Sequence, residues 1–148
     1  MAYATISKPS LHFNTKLYAG SDSSLSVTGV GFQPDFVWIK NRGLTTDHKL
    51  RDSVRGSNKG LTSVSNSGES TNTYFTSFDS DGFTLEGNVS DFNKSSNNYV
   101  SFNWKGGTTS GLSGGNITPT AYSYNATAGF GVYAYTGNGS SDQTIPHG

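Results

Sequence analysis

The chain has 148 residues, enough for one domain and too few for two, and its ten basic and ten acidic side chains leave no net charge. It contains no cysteine, which excludes disulfides and thiolate metal sites, and no apolar run of the roughly 18 residues that a membrane helix needs. Nine Phe, eight Tyr and two Trp supply much of the apolar volume among abundant Ser, Gly, Thr and Asn, the vocabulary of strands joined by turns.

Hydrophobic periodicity is short and alternating. Strands are predicted, in chain order, at 15–19, 24–28, 36–40, 61–65, 74–78, 83–86, 99–105, 120–124 and 129–135. The opening MAYATISKPSLHF has no apolar core of signal-peptide length, and no membrane insertion is expected. Gly31-Phe32-Gln33-Pro34-Asp35 reads as a turn, because Pro34 removes a ladder donor just before the strand FVWIK. That strand is apolar on both faces, as suits a central strand covered on both sides, or covered on one and used for contact on the other.

TTDHKLRDSVRGSNKG, residues 45–60, is open to either a helical turn or a long ordered loop. Asp79-Ser80-Asp81-Gly82 lies between two aromatic strands and predicts a hairpin. In YVSFNWK, Val100, Phe102 and Trp104 share one face and are expected to be buried, with Ser101, Asn103 and Lys105 opposite them. In GFGVYAY, Phe130, Val132 and Ala134 oppose Tyr133 and Tyr135. The fold class is all-β: a two-sheet antiparallel sandwich, jelly-roll-like.

Four blocks, GFQPDFVWIKNR (31–42), HKLRDSVRG (48–56), TSFDSDGFTLEGN (76–88) and VSFNWKGG (100–107), resemble a domain of bacteriophage tail-fibre and other virion structural proteins, notably of marine phages. MAYATISKP resembles the start of such proteins. The resemblance implies a virion location and partners that are copies of the chain and other virion proteins, with host-surface polysaccharide as a further partner. It implies no enzymatic activity and no cofactor. Capsid decoration and a carbohydrate-binding module are the alternatives.

Motifs for chemistry are weak. Asp79-x-Asp81-Gly82 lacks the closing Glu of a calcium loop, since position 90 is Ser. His12, His48 and His147 have neither metal spacing nor a nucleophile elbow, so no catalytic or metal residue is assigned. Residues 35–59 hold six basic side chains against three acidic ones, whereas residues 60–93 hold five acidic and no basic ones. With no aromatic residue at 39–59 for stacking, no nucleic-acid partner is expected. The two stretches read either as solvated loops or as surfaces that pair between copies, with Arg51 and Arg55 as contact residues in the second case. Tyr122, Tyr124, Tyr133 and Tyr135 are candidates for an assembly or glycan-contact platform.

FGVYAYTGNGSSDQTIPHG (130–148) echoes FNTKLYAGSDSSLSVTGVG (13–31) in its Phe-Tyr-Gly spacing. The expected organisation is a sandwich domain over residues 1–124, then residues 125–148 as either the start of a second similar unit or a closing hairpin of the first.

Overall fold

A computed structural model describes residues 6–148; the first five residues of MAYATISKP lie outside it. A short 3-10 turn at Pro9–Leu11 leads into β1 (Phe13–Ala19), β2 (Leu25–Val27), β3 (Phe36–Asn41), β4 (Lys49–Asp52), β5 (Lys59–Thr62), β6 (Ser70–Thr71), β7 (Phe75–Asp79) and β8 (Gly82–Leu85). There follow β9 (Asn98–Trp104), β10 (Ala121–Asn125) and β11 (Phe130–Ala134). Every predicted strand overlaps an observed one. The undecided segment 45–60 is neither helix nor plain loop: it supplies β4, a tight turn and the start of β5.

The strands pair antiparallel in a large sheet of order β1-β9-β3-β4-β5-β6, a small sheet of order β2-β8-β7, and a separate β10-β11 hairpin. The chain changes sheet between β1 and β2, β2 and β3, β6 and β7, and β8 and β9, which gives the sandwich its jelly-roll-like weave. Between the two sheets lies the core: Val27, Val37, Ile39, Phe75, Phe83, Leu85, Phe92 and Tyr99. Tyr18 of β1 stacks on Tyr99 of β9 with ring centroids 5.1 Å apart. Its hydroxyl donates to the Phe92 carbonyl at 2.9 Å, and Tyr99 donates to the Ser90 carbonyl at 3.0 Å, so both rings are buried without orphaning their polar ends.

The alternation along β9 is as predicted, but its sides are reversed. Tyr99, Ser101 and Asn103 are the buried residues, and Val100, Phe102 and Trp104 occupy the outer, half-exposed face. Hydrogen bonding makes the polar side tolerable inside. Asn103 Nδ2 donates to the Asn14 carbonyl at 3.0 Å and to Ser101 Oγ at 3.1 Å. Asn41, on the same inner face, donates to the Ser90 carbonyl at 2.8 Å and accepts the Gly43 N–H at 2.9 Å. Asn93 Nδ2 reaches the Gly87 carbonyl at 3.1 Å while its Oδ1 accepts the Ser21 N–H at 2.9 Å. Each such bond contributes about 1 kcal/mol net, and an unpaired buried amide would cost more.

Asp79–Gly82 forms the predicted hairpin between β7 and β8. Gly82 has φ +147, and a Cβ there would fall on the Val27 carbonyl. Next to it, the Asp81 carboxylate accepts the N–H groups of Gly31 at 2.6 Å and Gly29 at 2.9 Å, which hold its pKa below the ordinary carboxylate value. This bond ties the hairpin tip to the turn that launches β3.

Replacing Gly82 by Ala strains the backbone and displaces β2, so Gly82→Ala should destabilise the fold by about 3 kcal/mol in denaturant titrations. A second expectation concerns alkali. Burial first, and the Tyr99 neighbour second, push the Tyr18 hydroxyl well above its ordinary value of 10.0. Burial likewise raises Tyr99. The folded chain therefore keeps protons that the unfolded chain releases near pH 10.0, so this stabilisation is full below that pH and declines as pH rises above it. Thermal melts should fall more steeply above pH 10 in the wild type than in a Tyr18→Phe, Tyr99→Phe double variant.

Candidate functional site

Cross-strand register assembles the outer face of the large sheet. One row runs Thr15, Phe102, Trp38, Leu50 and Leu61 across β1, β9, β3, β4 and β5. A second runs Leu17, Val100 and Lys40, and a third Phe13, Trp104 and Phe36. Leu17 is 64% exposed, and Phe13 and Leu61 are also exposed. An open groove of about 490 Å³ lies over this face, lined by Trp38, Lys40, His48, Val100, Phe102 and Trp104. Trp38 is fixed there by its indole N–H, which donates to His48 Nδ1 at 3.0 Å. Lys40 Nζ is held by the carbonyls of Leu44 at 2.8 Å and Thr46 at 2.9 Å, which occupy two of its three donors.

The β10-β11 hairpin covers one end of the same face. Phe130 lies 5.9 Å from Trp104 and 6.2 Å from Phe36, so Trp104 is flanked by Phe130 on one side and by Phe13, at 4.8 Å, on the other. The two phenylalanines aligned by the internal echo thus meet at one indole. Ser123 Oγ accepts the Gly107 N–H at 2.8 Å, and Thr108 and Tyr124 exchange two backbone hydrogen bonds, which tie β10 to the segment after β9.

Three of the four candidate tyrosines come together on the far side of this hairpin. Tyr122, Tyr124 and Tyr133 have ring centroids 6.1 to 6.5 Å apart. Tyr133 lies across Gly131, where any side chain would collide with its ring. The platform is not bare: the Tyr133 hydroxyl donates to the His147 carbonyl, Gly148 packs on Tyr124, and burial, with Tyr124 beside it, raises the Tyr133 pKa. Tyr135 is 53% exposed and stands outside the ring cluster.

The two arginines serve the interior of the chain. Arg51 is 1% exposed, with its guanidinium carbon 5.1 Å from the centre of the Phe92 ring and its Nη2 donating to Asn72 Oδ1 at 2.7 Å. Burial first, and Arg55 second, lower its pKa to about 10, against the opposing pull of Asp52. As a contact residue between copies, Arg51 is therefore corrected to a core residue, placed there because Gly60 leaves room for the guanidinium. Arg55 bonds Asp52 at 2.7 Å through Nε and Glu69 at 3.0 Å through Nη1. Lys49 meets Asp91 at 3.1 Å and Lys59 meets Glu69 at 3.5 Å. Two of the five acids of the acidic stretch, Glu69 and Asp91, thus pair with Lys49, Arg55 and Lys59 of the basic stretch within one chain.

A family model described as a domain of unknown function, DUF7483, matches residues 8–148. The chain belongs to that family. No curated protein and no solved structure matches it. The matched span includes both halves of the expected division at residue 124.

Sequence reasoning looked to the tyrosines and missed Trp38, His48 and Phe102 as an exposed set. The available signal was FVWIK, whose second apolar face required either a cover or a contact. Among the described residues, no group of three or more His, Cys, Asp or Glu side chains is placed to hold a metal. Because Phe130 anchors the hairpin to Trp104, Phe130→Ala should speed amide exchange over residues 121–134 and leave β9 protected. The expected overall loss is about 2 kcal/mol, below the value for a fully buried Phe because this ring is half exposed.

Proposed function

We propose that the chain is a non-enzymatic structural module of a phage virion, part of a tail fibre or similar appendage, acting in assembly and in contact with the host surface. The observation that carries this reading is the aromatic outer face of the large sheet. A chain of this size gains nothing in its own stability by leaving Trp38, Phe102, Leu17 and Leu61 partly open to water. Exposed apolar patches of this kind mark interaction sites. The residues that form it come largely from the blocks that resemble virion proteins: Phe36, Trp38 and Lys40 from residues 31–42, and Val100, Phe102 and Trp104 from residues 100–107.

Assembly has separate support. β11 is one of several described strands with a neighbour on one side only, and an edge of that kind suits strand addition by a copy of the chain or by another virion protein. Weak contacts repeated along an appendage add up through copy number, so no single tight site is required.

The test is localisation on purified particles of the phage that encodes the chain, by antibody labelling and by fitting the sandwich into particle density. Density on the tail or its fibres is the expected result. Labelling spread over the head would replace the appendage reading with capsid decoration, and absence from particles would defeat the virion reading. Release of reducing ends from host polysaccharide by the purified chain would defeat the non-enzymatic part.

A further inference from the structure

We propose that the open groove over Trp38 and Phe102 is a binding site for a neutral pyranose ring, with His48 as a hydrogen-bonding group at its rim. The inference deepens the contact reading above and rests on it. Three features of the groove select the ligand.

The floor is apolar and built of two aromatic rings whose planes are inclined by 60°. Trp38 and Phe102 face each other across the β3-β9 register with ring centroids 6.0 Å apart, and Val100 and Trp104 continue the floor along β9. The groove is also open to solvent along its length, so an alkyl chain laid in it would keep one side wet. A pyranose has an apolar face of C–H groups and a hydroxylated rim that gains from staying hydrated, so it suits such a surface.

The rim carries a neutral donor. Because Trp38 donates to His48 Nδ1, a neutral His48 ring bears its proton on Nε2, and no described group accepts it. Lys40, the other polar group at the groove, has two of its three ammonium donors on carbonyls, and no arginine or second lysine joins it among the described lining residues. With no paired cations to clamp an anion, the groove is built to hold a sugar by its apolar face.

The open area is too small for a second copy. With the hairpin over the Phe36 and Trp104 end, about five strands by four residues remain, or roughly 24 by 14 Å and about 330 Å² at ordinary strand spacings. A stable protein interface needs at least about 500 Å² from each partner. The groove's volume of about 490 Å³ instead falls within the range of small-ligand sites.

The experiment follows the Trp38 indole N–H in proton–nitrogen correlation spectra of the full chain, titrated with the methyl glycosides of glucose, galactose and mannose, with N-acetylglucosamine, and with short oligosaccharides of each. At least one neutral sugar should shift the Trp38 indole signal saturably. Trp38→Ala and Phe102→Ser should weaken that binding about tenfold or more, His48→Phe less, and the Tyr133→Ala, Tyr135→Ala pair not at all. Since Trp38→Ala removes part of a packed face, Phe102→Ser and His48→Phe carry the test if it fails to fold.

The inference is overturned if no sugar shifts the Trp38 signal up to about 100 mM, beyond the weakest useful affinity for a repeated site. It is also overturned if binding follows the tyrosines, or if a short alkanol produces the shifts and sugars do not. A chain found on the tail that binds no sugar would defeat this inference and leave the appendage reading standing. Sugar binding by a chain absent from particles would do the reverse.

Discussion

The sandwich depends on buried amides that bond backbone groups beyond their own strands. Asn41, Asn93 and Asn103 lie on or beside the inner face of the large sheet with almost no exposure; the side chains of Asn41 and Asn93 bond backbone groups in loops, and that of Asn103 bonds the Asn14 carbonyl on β1. A buried amide left unpaired would cost more than a typical contact gains, so Asn41 and Asn93 dictate where their loops must run. Asn93 draws the turn after β1 toward the segment before β9, and Asn41 holds the loop after β3. The core is therefore specified by hydrogen bonds at its margins as well as by packing at its centre.

A sheet strand has only two faces, so filling the inner one with Asn and Ser sends the aromatic set outward. Phe13, Phe36, Trp38, Phe102 and Trp104 would normally be core material, yet here they form the outer surface of the same strands. Trp104 then becomes the joint between the sandwich and the β10-β11 hairpin, with Phe13 and Phe130 on either side of it. The hairpin shelters one end of the aromatic face, and the other end is left open to solvent. Position and exposure of the candidate site thus follow from which side chains the core accepts.

How far the sequence disclosed this depends on how local each signal is. Asp79-Ser80-Asp81-Gly82 was legible because a two-residue turn is specified by its own residues. The strand YVSFNWK was legible as a strand, but its orientation was not: the acceptor that makes Asn103 welcome inside is the carbonyl of Asn14, on another strand. Arg51 read as a surface charge for the same reason, since its neighbours Phe92, Asn72 and Gly60 lie far along the chain. In residues 45–60 the frequent charges hid a strand whose two final residues, Arg51 and Asp52, are buried. The tyrosine cluster could be anticipated from alternation in β10 and β11, whereas its partial cover by His147 and Gly148 could not.

The position of β9 in the large sheet also sets a timetable. Among the described strands β1 has β9 as its only neighbour, with Phe13 opposite Trp104 and Ala19 opposite Asn98, and β9 is likewise what joins β1 to β3. During synthesis the first strand must wait, unpaired and carrying Phe13 and Leu17, until the ninth has left the ribosome. β3 to β6 can form a meander in the meantime, but closing the sheet means bringing together distant parts of the chain, a topology that folds slowly. The interval exposes an apolar strand edge to neighbouring nascent chains, so the yield of folded protein should depend on the crowding of its own synthesis.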